Sequence, residues 1–242
     1  MNAVTRKQME GGRWRIFVPP KTGYHYCCGI DAASGKEGAN ESVANFLCIE
    51  TGEQVAILAG KVNPEDMAIE AEKAGILYNY AELAPEREQH GMTIITTLRE
   101  RNYPNMFFHD EDLTAMGGSS RVWGWDARKY RNTAIDWLQQ DIGYYASLKP
   151  VEREKSLTIN DKETLAQHRF FIRNKTTGKW EATPGKYDDR VSAMYISNFI
   201  RRLRMKHFFA KKTEKKQGET YLDVLARGIN EDDEDRSVDF DE

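Results

Sequence analysis

Four carboxylates stand where the sequence passes from one element to the next. Asp31 closes the apolar run in "YHYCCGIDAASG", which turns through Ala-Ala-Ser-Gly directly after the acid. Glu86 lies in "LAPEREQHG", between a strand-like stretch and a helical one, and Asp188 and Asp189 open the amphipathic "DDRVSAMYISNFIRRLRM". Acids at element ends can converge at one edge of a sheet. In a cleft they would repel one another, and divalent cations would relieve that repulsion. Two cations about 3.5–4 Å apart can activate a water and stabilise the departing oxygen of a phosphodiester. A hard, all-oxygen donor set with no Cys/His cluster favours Mg²⁺ or Mn²⁺ over zinc. Each acid alone also has a plainer use. Asp31 suits a turn, Glu86 a charged surface stretch, and Asp188 and Asp189 the first turn of a helix, where they face the macrodipole.

The elements that must position these acids follow from hydrophobic period and punctuation. Residues 24–31 read as a strand buried on both faces, and "VANFLCIE" and "QVAILAGKV", separated by "TGE", read as a hairpin. "NPEDMAIEAEKAGILYNY" has Asn63 as N-cap and Pro64 at the first helical position. "YAELAPERE" reads as a short strand running into a turn, "HGMTIITTLRERN" as a helix and "NMFFHD" as a short strand. "SSRVWGWDARKYRN" reads as irregular, "RNTAIDWLQQDIGYYASL" as a helix, and "ETLAQHRFFIRN" and "KWEATPG" as holding a strand each. The last helix carries an apolar stripe at Val191, Met194, Tyr195, Ile196 and Phe199. Three strands followed by alternating helix and strand predict an α/β fold with a mixed sheet.

The 242-residue chain, 40% hydrophobic and 30% charged, reads as soluble and globular, with no apolar stretch long enough for a membrane span and no signal-peptide pattern. Cys27, Cys28 and Cys48 lack Cys-x-x-Cys spacing and read as reduced core cysteines, which suits a cytoplasm. The net charge of −3 conceals an asymmetry: residues 213–242 hold 11 acids and 4 bases, a net of −7, which leaves +4 on the rest. A mildly basic body with an acidic tail permits nucleic-acid binding without requiring it. The organisation expected is a linker at 1–22, one domain at 23–210 and an acidic, flexible tail at 211–242.

Over residues 24–200 these stretches resemble, in order, the C-terminal nuclease domain of the large terminase subunit of tailed bacteriophages, a ribonuclease-H-like nuclease. "GIDAASG" resembles the family's first strand with its metal-binding aspartate, here Asp31. "PEREQHGMTIITTLRERNYPNMF" resembles the second motif, here Glu86, His90 and Gly91, and "WGWDARKYRNTAIDWLQQDI" the segment after the hairpin. "ETLAQHRFFIRNKTTGKWEATPGKYDDRVSAMYI" resembles the ending that carries the last acids, Asp188 and Asp189. The resemblance implies a mixed central sheet with helices on both faces plus a β-hairpin or loop insertion. It also implies a metal-dependent endonuclease that cuts concatemeric double-stranded viral DNA during packaging. Asp31, Glu86, Asp188 and Asp189 would be catalytic and would hold two Mg²⁺ or Mn²⁺ ions. The implied partners are DNA, the packaging ATPase domain, the small terminase subunit and the portal protein, in the host cytoplasm.

Some positions depart from the family pattern. Glu88 stands where the family often has an amide, and Pro85 is unusual in a strand, which makes Glu82 a rival to Glu86. Glu41 either supports the Gly-rich turn or ligates an outer metal. "GIDAASGKE" fails the phosphate-loop template, since Gly29 and Gly35 are one residue too far apart and Glu37 follows Lys36. The chain therefore reads as a nuclease domain apart from its ATPase. Arg121, Arg128, Lys129 and Arg131, interleaved with Trp123 and Trp125, read either as a DNA-backbone contact or as a solvated loop with its tryptophans in the core. "RRLRMKHFFAKK" is a second basic patch, either a solvated helix face or a DNA contact. His90 either orients substrate or water or bonds near its helix start. Two rivals share these features: another ribonuclease-H-like enzyme (a Holliday-junction resolvase or a transposase core), and a non-catalytic module that docks on DNA or the portal.

Overall fold

The computed structural model describes residues 14–38, 40–113, 118–147 and 157–217. Five strands form one sheet in the order β1-β4-β3-β2-β5: β1 (Trp14–Ile16), β2 (Tyr26–Asp31), β3 (Ser42–Cys48), β4 (Gln54–Gly60) and β5 (Glu82–Pro85). The first four pair antiparallel and β5 joins β2 in parallel, so the sheet is mixed as expected. The crossover to β5 runs through α1 (Pro64–Leu77). Asn63 caps α1 by accepting the Asp66 N–H at 2.9 Å, and Met67, Ala68, Ala71 and Ala74 bury its inner face. These small side chains bring the helix close to the sheet. Beside it lies α2 (Gln89–Glu100), with Ile94, Ile95 and Leu98 buried. Together the two helices cover the sheet face that carries Cys28, Ile30, Phe46 and Leu58.

The other face belongs to α5 (Asp189–Gln217), whose Ala193 packs on Val43 and Ile57. Next to it is α3 (Ala127–Ser147), joined to α5 by the stacked rings of Trp137 and Phe199, 5.2 Å apart. The expectation of helices on both faces holds. The insertion is a hairpin, β6 (Phe108–Leu113) with β7 (Gly118–Trp123). A second small hairpin, β8 (Phe171–Arg173) with β9 (Trp180–Ala182), follows the short α4 (Lys162–His168). By contact the chain divides into two compact units, Met1–Leu203 and Arg204–Glu242.

Two local expectations are corrected. The stretch read as a linker contributes β1, whose Trp14 is buried edge-on against Phe46. "SSRVWGWDARKYRN" is regular: it supplies strand β7, and α3 starts at Ala127 because the Asp126 carboxylate accepts the Arg128 N–H at 2.9 Å. The strands expected in "ETLAQHRFFIRN" and "KWEATPG" are present as β8 and β9; the first of these stretches opens with the helix α4, because Asp161 caps it by accepting both the N–H and the hydroxyl of Thr164. The three cysteines are buried and free, as expected. Of the acidic tail expected at 211–242, residues 211–217 are helical as the end of α5, and those from 218 onward lie outside the described residues.

Candidate metal centre

Alternation along β2 sends Cys28 and Ile30 into the core under α1 and α2, and Cys27, Gly29 and Asp31 toward α5. Gly29 permits an unusually close approach. A methyl group there would stand 2.3 Å from the Ala193 carbonyl and 2.6 Å from the Ser197 nitrogen. The Gly29 N–H donates to Ser197 Oγ at 2.9 Å. With α5 held directly on the strand, its first residues come up beside Asp31. Asp31, Asp188 and Asp189 line one cavity of about 330 Å³, together with Glu41 and His90.

Glu86 comes from the neighbouring strand. The parallel register sets Cys27 against Glu82 and Ile30 against Pro85, and the Glu86 N–H donates to the Ile30 carbonyl at 2.9 Å. Glu86 therefore stands level with Asp31, whereas Glu82 lies four residues back, about 13 Å along the strand. Glu82 is buried by Cys27, whose thiol is pushed well up by burial and then by the Glu82 charge. Pro85 is tolerated because β5 is an edge strand and its missing N–H faces away from β2. On that outer side the Pro85 carbonyl accepts the Trp125 N–H at 2.8 Å, and Trp125 returns its own carbonyl to the Arg87 N–H at 2.8 Å. Gly91 lets α2 start against Glu86: a methyl there would sit 1.7 Å from the Glu86 carbonyl oxygen.

The carboxylates sense one another. Asp31 is pushed well above the usual carboxylate range, by burial first and then by the charges of Glu86, Asp189 and Asp188, with a Ser192 hydrogen bond opposing. Burial, then Glu88, lifts Glu86 to about 7, with Arg131 pulling it down and Asp126 and Asp188 adding to the rise. Asp189 rises to about 6, mainly by burial, although its Oδ2 accepts the Glu41 N–H at 3.0 Å. Among the described residues, no three carboxylate, imidazole or thiolate groups are arranged so that together they could hold a metal ion. Asp31, Asp188 and Asp189 line the cavity, and Glu86, outside its lining, reaches Asp31 through its charge. Their chemistry, all hard oxygen donors with one histidine in the wall, fits Mg²⁺ or Mn²⁺.

The basic residues separate. Arg131 is the one whose charge reaches Glu86; its Nη2 donates to the Trp180 carbonyl at 2.8 Å. Arg128 is bound by Asp126, and the Arg121 guanidinium lies 4.0 Å from the centre of the Phe108 ring and 5.4 Å from that of Trp123. Trp125 is fully buried and Trp123 packs on the main core, so the plainer reading holds for both tryptophans. In the second basic patch, Arg201 is buried on the Ile49 carbonyl and Arg202 pairs with Asp141. Sequence reasoning missed Ser192, Asp126 and Arg190. Only Arg190 carried a signal: a cation in the first turn of a helix opposes the macrodipole and so implies acidic partners.

No protein-family model matches the chain, and no curated protein does. Solved structures do. The large terminase nuclease from thermophilic phage G20c with bound magnesium aligns over 77% of this chain and 87% of its own, at 16% identity and a TM-score of 0.57. The same nuclease with bound cobalt aligns over the same shares at 16% identity and a TM-score of 0.54. The Thermus phage P74-26 large terminase nuclease domain aligns over 77% and 84%, at 16% identity and a TM-score of 0.55. This chain has the large terminase nuclease fold. Its mixed sheet, with α1 and α2 on one face and α5 on the other, is the ribonuclease-H-like arrangement expected for that nuclease.

Proposed function

We propose that this protein is a metal-dependent DNA endonuclease that hydrolyses concatemeric double-stranded viral DNA during genome packaging. One observation carries the reading: β2, β5 and the start of α5 deliver four carboxylates to one end of the sheet, beside the carboxyl ends of the only parallel strand pair among the described residues. Asp31, Glu86, Asp188 and Asp189 would hold two Mg²⁺ or Mn²⁺ ions. When bound, these ions supply an activated water and neutralise the charge that develops on the phosphate and the departing 3′ oxygen.

The chain's own residues do the rest. The buried carboxyls release protons as they take up cations. His90, in the cavity wall, supplies a ring nitrogen for a phosphate oxygen or the attacking water. Arg131 lies on the Glu86 flank and holds a phosphate of the strand being cut; Arg121, Arg128 and Lys129 extend the backbone contact. No covalent enzyme intermediate is required. The solved terminase nucleases with bound magnesium and cobalt support divalent-metal use here. The packaging ATPase domain, small terminase subunit and portal protein are the partners proposed, in the host cytoplasm.

Linear duplex and a four-way junction, compared at equal concentration with Mn²⁺, test the substrate class. This reading expects the duplex to be cut with little sequence preference. Cutting confined to the junction assigns the acids to a resolvase instead.

A further inference from the structure

Beside the four acids lies a buried cation that the cleavage scheme leaves unused. Arg190 directly follows Asp189 and is 4% exposed. Its guanidinium meets three acids: Glu41 Oε2 at 3.0 and 3.1 Å, Asp161 Oδ2 at 3.1 Å and Glu163 Oε2 at 2.6 Å. Its backbone N–H donates to Gln167 Oε1 at 2.9 Å. Glu41 in turn stands in the wall of the acid cavity, and its backbone N–H is the group that binds Asp189 Oδ2. The two contacts run in opposite directions between the same two segments. The side chain of Arg190 grips the side chain of Glu41, and the backbone of Glu41 grips the side chain of Asp189. Glu41 also ends the turn that starts at Asp31, so the pair of contacts ties the β2–β3 turn to the start of α5.

We propose that the Arg190–Glu41 pair is a positioning clamp that sets Asp189 relative to Asp31 and thereby the affinity of the metal centre. The proposal rests on the reading of those acids as metal ligands. A buried ion pair is a poor source of stability, because desolvation offsets much of its attraction. Partners that orient ligating carboxylates, by contrast, commonly govern metal affinity about 10- to 100-fold. The charge balance makes the clamp testable without unfolding the protein. Arg15 binds Asp161 at 2.7 Å and Glu163 at 3.1 Å, so the network sets two arginines against three acids. Glu41→Ala leaves two against two, and the Glu41 side chain is only part-buried, at 32% exposure. Arg190 substitutions, which would leave Arg15 alone against three acids, are the poorer probe.

Mn²⁺ binding to the full chain, measured by titration calorimetry beside metal-free melting, reads the clamp directly. Glu41→Ala is expected to lower Mn²⁺ affinity by about tenfold or more, with metal-free melting unchanged. Cleavage at saturating Mn²⁺ should stay near the wild-type rate. Glu41→Gln keeps an oxygen for Arg190 and the same backbone N–H, and is expected to bind Mn²⁺ nearly as the wild type does. Unchanged affinity in Glu41→Ala overturns the clamp. So does a Glu41→Gln protein as weak as Glu41→Ala, which would make the Glu41 carboxylate itself a ligand. A matching fall in metal-free melting also overturns it, in favour of a purely structural pair. If the wild type binds no Mn²⁺ at all, the metal-centre reading fails first and the clamp with it.

Discussion

Burial and mutual repulsion act together on Asp31, Glu86 and Asp189, and both favour the protonated form. Glu86 at about 7 and Asp189 at about 6 lie above their ordinary values of 4.5 and 3.8. Across that window the metal-free folded state binds more protons than the unfolded chain. The contribution of these carboxyls to its stability is therefore fully present at low pH and is lost as pH rises toward 7. A cation reverses the preference by replacing those protons. His168 works the other way below its ordinary 6.5, because burial holds it at about 4, so metal must be compared with EDTA at each pH. Mn²⁺ is expected to raise the melting temperature more at pH 8 than at pH 5.5. Equal shifts at the two values would show that no buried carboxyl gives up a proton to the metal.

At the level of elements, register sets Glu86 level with Asp31 and Glu82 four residues back. Glu86→Gln is expected to reduce Mn²⁺-dependent cleavage to the metal-free background, while Glu82→Gln, on the same face but about 13 Å away, retains it. The reverse outcome would place the second ligand at Glu82. Gly91→Ala drives a methyl into the Glu86 carbonyl, and overpacking of this kind costs typically about 1–3 kcal/mol. Urea unfolding should show that loss, with weaker Mn²⁺ binding beside it; an unchanged midpoint would mean α2 yields without disturbing Glu86. The acids were legible in the sequence because period-2 and period-3.6 patterns mark where strands and helices end. The register that sets Glu86, and not Glu82, level with Asp31 was not, since Pro85 argued against a strand and the edge position of β5 accommodates it. Trp125 is fully buried and Trp123 is part-buried against the core, so for the rings the core alternative that the sequence left open is the one observed. The helix at Lys162–His168 was not legible in "ETLAQHRFFIRN" because its cap, Asp161, precedes that stretch. Arg190 carried only the sign that it needs acidic partners; that these are Glu41 and Asp161 was not legible, because both are distant in the chain.

Over the whole molecule, charge is divided. The chain carries −3 in total, with −7 on residues 213–242 and +4 on the remainder. A mildly basic body suits a polyanionic substrate, and contacts to phosphates make affinity fall steeply with salt. Arg131→Ala should weaken duplex binding uniformly across sequences and lower the salt slope by about one. A slope that does not change would remove Arg131 from the backbone contact. Among the described residues no helix is long and apolar enough to cross a membrane. The most direct test of the central claim is supercoiled plasmid at low salt, incubated with Mn²⁺, Mg²⁺ or EDTA and either the wild type or Asp31→Ala. Metal-dependent nicking and linearisation that disappear in Asp31→Ala are the result expected of a nuclease built on these acids. Folded wild-type protein that leaves the plasmid intact with both metals, or an Asp31→Ala protein that cuts as well as the wild type, would contradict it.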